Sequence, residues 1–194
     1  MIEILALLSI LPNMVGKRIL DLGCGFGEHC KLFVEIGAEK VVGLDISQKM
    51  IEEAKLENHS PKIDDIHLSM EDLATLNQKF DIVVSSLAFH YVEAYPKLIK
   101  DIYHLLTDGG YLLFSQEHPL VTSHSQGERW IKNDNGMKLY ANISNYGREG
   151  SEMLSGLLNM FKSIIVLSRQ LSTLLLMQDS KLKKLWNLYP ITIF

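Results

Sequence analysis

The 194-residue chain has two cysteines, five prolines and two tryptophans. Cys24 and Cys30 are too few for a disulfide framework. They also lack the paired spacing of a zinc motif and follow no secretory signal. They are expected to be reduced packing residues of a cytoplasmic protein, and no metal is expected. Charge of one sign is not in excess either: 19 Lys and Arg face 23 Asp and Glu, for a net charge of -4. Without a dense basic stripe to displace counterions, nucleic acid is not the expected partner. Long apolar runs are missing too. The run from Ile2 to Leu11 contains Glu3 and is about half of the roughly 20 residues that span a bilayer, so a short core helix is expected there. The stretch from Met153 to Met177 carries Lys162 and Arg169, which oppose insertion, so no membrane association is expected.

What is present is an ordinary globular composition, with 47% hydrophobic and 22% charged residues. A chain of this length folds as one domain around a substantial core. From Lys17 to Gln116, short apolar or β-branched runs alternate with helical segments, the pattern of a parallel sheet covered by helices. Strands are predicted at 18–22, 40–44, 65–69, 80–86 and 111–116. Helices are predicted at 27–36, 48–58 and 95–106, the last closed by Gly109 and Gly110, with a short turn from Glu71. The fold class is therefore α/β, a doubly wound, mostly parallel sheet. Residues 117–150 have a loop-like composition with interspersed Trp130, Tyr140 and Tyr146, suited to a lid.

Composition changes near residue 150. All seven histidines and 12 of the 13 glycines precede it. The organisation expected is a core of 1–150 followed by an atypical tail of 151–194. In the tail Leu154, Leu157, Leu158, Phe161, Ile164 and Ile165 fit one helical face, so a helix is predicted.

Doubly wound sheets bind ligands beyond the carboxyl ends of their strands, where strand order reverses. The run Arg18 to Gly27 reads as a strand entering a glycine-rich turn and then a helix, which lets a ligand approach the backbone closely. Its spacing is G-x-G-x-G. The dinucleotide fingerprint places the third glycine one residue later, around a pyrophosphate, so phosphate is disfavoured. A tight connection with no ligand is the plainer alternative. Asp45 ends the second strand 22 residues after Gly23, where a carboxylate can accept from both hydroxyls of a ribose. Equally, it could be a solvated strand end with Ser47 capping the next helix. Asp72 could accept from an adenine amino group, or complete a capping box with Ser69. The strand ending Ser85, Ser86 leads to His90, which could act as a base near neutral pH or serve structure alone.

These residues resemble the class I S-adenosylmethionine-dependent methyltransferases, in particular the small bacterial ones with a methyltransferase type 11 domain. The resemblance covers about residues 11–150 and rests on DLGCGFG at 21–27, GLDIS at 43–47, MEDL at 70–73, FDIVVSSLAFHYV at 80–92 and LLTDGGYLLFSQEHP at 105–119. It implies S-adenosylmethionine as cofactor. Asp21, Gly23, Cys24 and Gly25 would surround its methionine part, and Asp45, with Ile46 beside it, the ribose. Asp72 and Leu73 would lie at the adenine, and Ser85 and Leu87 near the sulfonium. The implied reaction is methyl transfer to a small-molecule acceptor, where orientation alone can supply about 7 to 11 kcal/mol. His90, Glu117 and His118 are the candidate general bases.

The chain departs from the family at both ends. Only about sixteen residues precede the first strand, so the helix that covers the cofactor in relatives is expected to be missing. The terminal antiparallel strands are expected to be missing or altered. The tail is expected to be the family's C-terminus translated out of frame: shifting the reading by one base over 161–191 permits a family-like string. Met177 before Gln178 then forces an alanine, and Trp186 before Asn187 a glutamate, as that string requires. Two other functions stay open on the residues alone: a nicotinamide-dependent oxidoreductase, and a non-catalytic remnant that binds a cofactor or partner.

Overall fold

In the computed structural model the described backbone comprises residues 7, 10–117, 130–142 and 162–168, with side chains described through 115 and over 130–142. Strand β1 (Arg18–Leu22) is the centre of the sheet, flanked by β2 (Lys40–Asp45) and then β3 (Ile63–His67) on one side. On its other side lie β4 (Phe80–Ser86) and β5 (Leu106–Glu117). The pairings β1–β2, β2–β3, β1–β4 and β4–β5 are all parallel. The chain moves outward from β1 through β2 to β3 and then returns to β1's other edge with β4. That reversal opens a crevice at the carboxyl ends of β1 and β4, the predicted place for a ligand.

Alternation along each strand sends side chains to two cores. Leu20, Leu22, Val42, Leu44, Val83, Leu112 and Phe114 pack with Leu98, Ile99, Ile102 and Leu105 of helix α3 (Tyr95–Leu105). On the reverse face Ile19, Val41, Ile63, Ile82, Val84 and Leu113 pack with Cys30 and Phe33 of α1 (Glu28–Glu35) and Ile51 of α2 (Gln48–Glu57). Ser47 caps α2, its hydroxyl accepting from Met50 N at 3.4 Å. Of the N-terminal apolar run, Leu7 is helical and buried in this second core; residues 1–6, 8 and 9 lie outside the described residues.

Several predicted boundaries move. The third strand begins two residues earlier than predicted, because Ile63 pairs with Val41 and joins the core. Gly109 and Gly110 do not close α3. The helix ends at Leu105, Leu106 already pairs with Phe80, and the next pairing is Tyr111 with Ile82, so the intervening residues bulge out of β5. A Cβ on Gly110 would meet the Asp81 carbonyl at 2.9 Å, which accounts for the glycine there.

Within the predicted loop of 117–150 a second unit contains the antiparallel hairpin β6 (Trp130–Lys132) and β7 (Lys138–Ala141). The Asn133 side chain accepts from the N–H groups of Asn135 and Met137, which closes the turn. The tail predicted to be helical instead carries strand β8 (Lys162–Ser168), next to β5 in strand order. Its Ile-Ile-Val run has stiff β-branched side chains that favour extended backbone, which outweighs the helical spacing of apolar residues. The remainder of that predicted helix lies outside the described residues.

Phe114 is 1% exposed and stacks on Phe89 at 4.8 Å between ring centroids. Phe114→Ala is expected to lower unfolding free energy by about 3–5 kcal/mol in urea denaturation.

Candidate functional site

After β1 the chain turns through Gly23, Cys24, Gly25, Phe26 and Gly27 into α1. The turn is held by backbone bonds to the end of the neighbouring strand. The N–H groups of Gly23 and Cys24 both donate to the Leu44 carbonyl, at 2.8 and 2.9 Å. Gly25 N donates to Asp45 Oδ2 at 2.9 Å, and Ser47 N donates to Asp45 Oδ1 at 2.8 Å. The Asn58 side-chain amide, at the end of α2, donates to the Phe26 carbonyl at 2.7 Å.

Two glycines matter for different reasons. Gly23 has φ +76°, and a Cβ on it would lie 2.5 Å from the Ala88 Cβ, so both conformation and space require glycine. Gly25 has φ +56° but faces open space within 4 Å. The space over it is therefore open to a ligand.

An open cleft lies over this turn, lined by Gly23, Cys24, Gly25, Phe26, Glu28, His29 and Ser86. Glu28 occupies the first turn of α1, where backbone N–H groups would otherwise attract an anion. Its carboxylate repels a phosphate and favours a cationic or neutral polar ligand. His29 stacks on Phe33 with centroids 6.1 Å apart. Asp21 is wholly buried, and burial pushes its carboxyl above the ordinary carboxylate range, with the charge of His29 acting in the opposite sense.

The other wall belongs to β4. Ser85 does not line the cleft: it is fully buried and its hydroxyl donates to the Leu22 carbonyl at 2.8 Å, tying β4 to β1. Ser86, the next residue, lines the cleft instead, as strand alternation requires. Leu87 follows with φ +52°, uncommon for a residue with a Cβ, and its N–H donates to the Ser115 carbonyl at 3.0 Å.

The methyltransferase domain model matches residues 20–114. The chain is similar to a crystal structure from Listeria monocytogenes named as an S-adenosylmethionine-dependent methyltransferase. It is 34% identical, with a TM-score of 0.70, over 86% of this chain and 72% of that one. The chain belongs to the S-adenosylmethionine-dependent methyltransferases. The chain is also 46% identical to an uncharacterized protein of Haemophilus influenzae, over 77% of this chain and 61% of that protein. To an arsenite methyltransferase of Mus musculus it is 31% identical, over 56% of this chain and 32% of that protein. It thus spans less than two thirds of the length of either relative. The cofactor of the family is S-adenosylmethionine, and the open space over Gly25, with Glu28 in the cleft lining and the Asp45 carboxylate bonded to Gly25 N, fits a sulfonium-bearing ligand.

The core brings together five of the residues that its sequence singled out. Asp21, Gly23, Cys24, Gly25 and Asp45 gather at the turn. Ile46 is 72% exposed beside Asp45. Asp72 is exposed in the 3-10 turn Met70–Thr75, but the predicted capping box is not the one formed: the Ser69 hydroxyl accepts from Glu71 N at 3.2 Å. Leu73 is fully buried in the core with α3, so its side chain is structural. His90 sits in the 3-10 turn Phe89–Tyr91, its ring 4.2 Å from that of Tyr91. Glu117 ends β5, its side chain outside the described residues, and His118 lies outside them altogether. Phe26, Glu28, His29 and Ser86 were missed. Their signal was positional: residues inside and just after a glycine turn face the same crevice as the turn.

Gly23→Ala is expected to lose about 1–2 kcal/mol through its left-handed backbone and a further 1–3 kcal/mol or so through the clash with Ala88. Gly25→Ala should show the backbone loss alone, and thermal melts of both variants give the comparison. Ser85→Ala should lower stability by about 1 kcal/mol without changing ligand affinity, as checked by melting and titration together.

Proposed function

We propose that the chain binds S-adenosylmethionine in the cleft over the glycine turn and transfers its methyl group to a small-molecule acceptor. The observation that carries this reading is the pair of carboxylates on the two sides of the turn. Asp45 braces the loop through one lone pair on each oxygen, which leaves further acceptor capacity on both for a ribose diol. Glu28 stands where a dinucleotide phosphate would need a donor, which disfavours the nicotinamide alternative.

In this reading the backbone of Gly23 to Gly25 borders the methionine part, and Asp21, wholly buried and outside the cleft lining, supports the turn from beneath. Exposed Ile46 covers an adenine face beside Asp45, and Asp72 with the backbone at Leu73 borders the ring edge. Ser86 and Leu87 take the position assigned from the resemblance to Ser85 and Leu87, next to the sulfonium. The bound cofactor supplies a methyl group on a positively charged sulfur. The protein's part is to hold the acceptor's lone pair in line with the sulfur–methyl bond, so that the new bond forms as that bond breaks and the electron pair leaves with sulfur. Where the acceptor is protonated, a base must remove its proton; His90, Glu117 and His118 are the residues proposed for this.

The test is calorimetric titration of the full chain with S-adenosylmethionine and, separately, with a nicotinamide dinucleotide. Saturable binding of the first only is expected, and Asp45→Ala should weaken it by at least about tenfold, equivalent to about 1.4 kcal/mol. Binding of the dinucleotide alone, by folded protein, overturns the reading. No binding of either by a folded sample also overturns the reading and leaves the chain a methyltransferase by descent only.

A further inference from the structure

Three adjacent strands align Asp21 of β1, Gly43 of β2 and Asp65 of β3 in one row, with Gly43 paired to both carboxylate residues. The row lies on the sheet face that carries Ile19, Val41 and Ile63 and is covered by α1 and α2. Its middle position has no side chain, and other side chains converge on the space. A Cβ on Gly43 would lie 2.8 Å from Cys30 Sγ, 3.0 Å from Cys24 Sγ and 3.1 Å from Asp65 Oδ1. These three atoms, from helix, loop and strand, lie within 4.8 Å of one another.

The cluster is rich in electron pairs and poor in donors. Cys24 and Cys30 are 8% and 0% exposed. Asp65 Oδ1 is buried with no hydrogen-bond partner. So is Asp21 Oδ1, on a fully buried residue whose other oxygen accepts from Cys30 Sγ at 3.4 Å. Among the described residues no Lys or Arg forms an ion pair with Asp21 or Asp65. Buried carboxylate oxygens without donors are costly, and a cation held by the same atoms would satisfy them.

We propose that Cys24, Cys30 and Asp65 form a binding site for a thiophilic divalent cation of the zinc class, beneath the glycine-rich turn, with Asp21 beside it as the fourth donor. Two sulfurs and carboxylate oxygen suit zinc or cadmium, whereas magnesium and calcium take oxygen alone. Each thiol gives up its proton on binding, so one cation displaces two protons to solvent and is held by two thiolates and carboxylate. Tetrahedral bonds of about 2.3 Å to sulfur set the two sulfurs about 3.8 Å apart. That separation lies within the 4.8 Å that bounds the three donor atoms here. The bound cation would link the turn after β1 to α1 and β3, and so brace from below the loop whose upper side lines the cleft.

The test uses the full chain, reduced and freed of metal, titrated with cobalt(II) and then with zinc, in the absence of any other ligand. Its outcome is therefore independent of whether S-adenosylmethionine binds. A thiolate-to-cobalt absorption band that saturates at one equivalent, is abolished by zinc, and accompanies release of two protons per ion is expected. Cys30→Ser should weaken cobalt binding at least about a hundredfold while keeping the far-ultraviolet circular dichroism and the melting temperature of metal-free wild type. Asp65→Asn should weaken it about tenfold. If Cys30→Ser does not fold, Cys24→Ser gives the same readout. Folded wild type with no such band, or a band undiminished in a folded serine variant, overturns the proposal.

Discussion

The carboxylate of Asp45 holds the site together. Its two oxygens accept from Gly25 N and Ser47 N, so one side chain fixes both the loop after β1 and the start of the helix after β2. The Leu44 carbonyl next to it takes the N–H groups of Gly23 and Cys24. A glycine turn otherwise has a large conformational entropy. Here its backbone donors are committed to a strand end that is itself locked in a buried parallel sheet. The cleft, the open space over Gly25 and the convergence of thiols beneath it all depend on that restraint.

The two faces of the sheet divide the remaining work. The face covered by α3 is a continuous apolar core with Leu73 and Phe89 packed into it. On the face covered by α1 and α2, Asp21, Gly43 and Asp65 follow the apolar Ile19, Val41 and Ile63 in β1 to β3, while Val84 of β4, paired with Asp21, and Leu113 of β5 stay apolar at the same level. Polar groups buried at that level need a reason, because each must find a partner or lower stability. Their position directly under the glycine turn connects them physically to the ligand cleft above.

Strand and helix existence followed from sequence because local pattern and tertiary packing agree at β1, β2, β4 and α2. Where they compete, packing wins. Ile63 enters the sheet because it fills a place against Val41, and Leu106 leaves the helix because it pairs with Phe80. In the tail, the helical spacing of apolar residues was outweighed by the β-branched run at Ile164 to Val166, seen as β8. At the cleft, motif order pointed to the turn, Asp45 and Ser85, and the structure buries the Ser85 side chain. The motif supplied two adjacent serines, and only the direction of alternation decides that Ser86 lines the cleft while Ser85 ties β4 to β1.

The sequence by itself determined the α/β class, the glycine turn, the acidic strand end and the family, because each is written in contiguous residues whose chemistry is local. It also led to reading Cys24 and Cys30 as separate packing residues, since nothing in a six-residue spacing indicates a shared site. Only the tertiary structure decided that they meet Asp65 over Gly43. The reason is the parallel sheet itself. Strand pairing carries residues 21, 43 and 65 into one row, and a missing side chain at the middle position makes room for donors from two other elements.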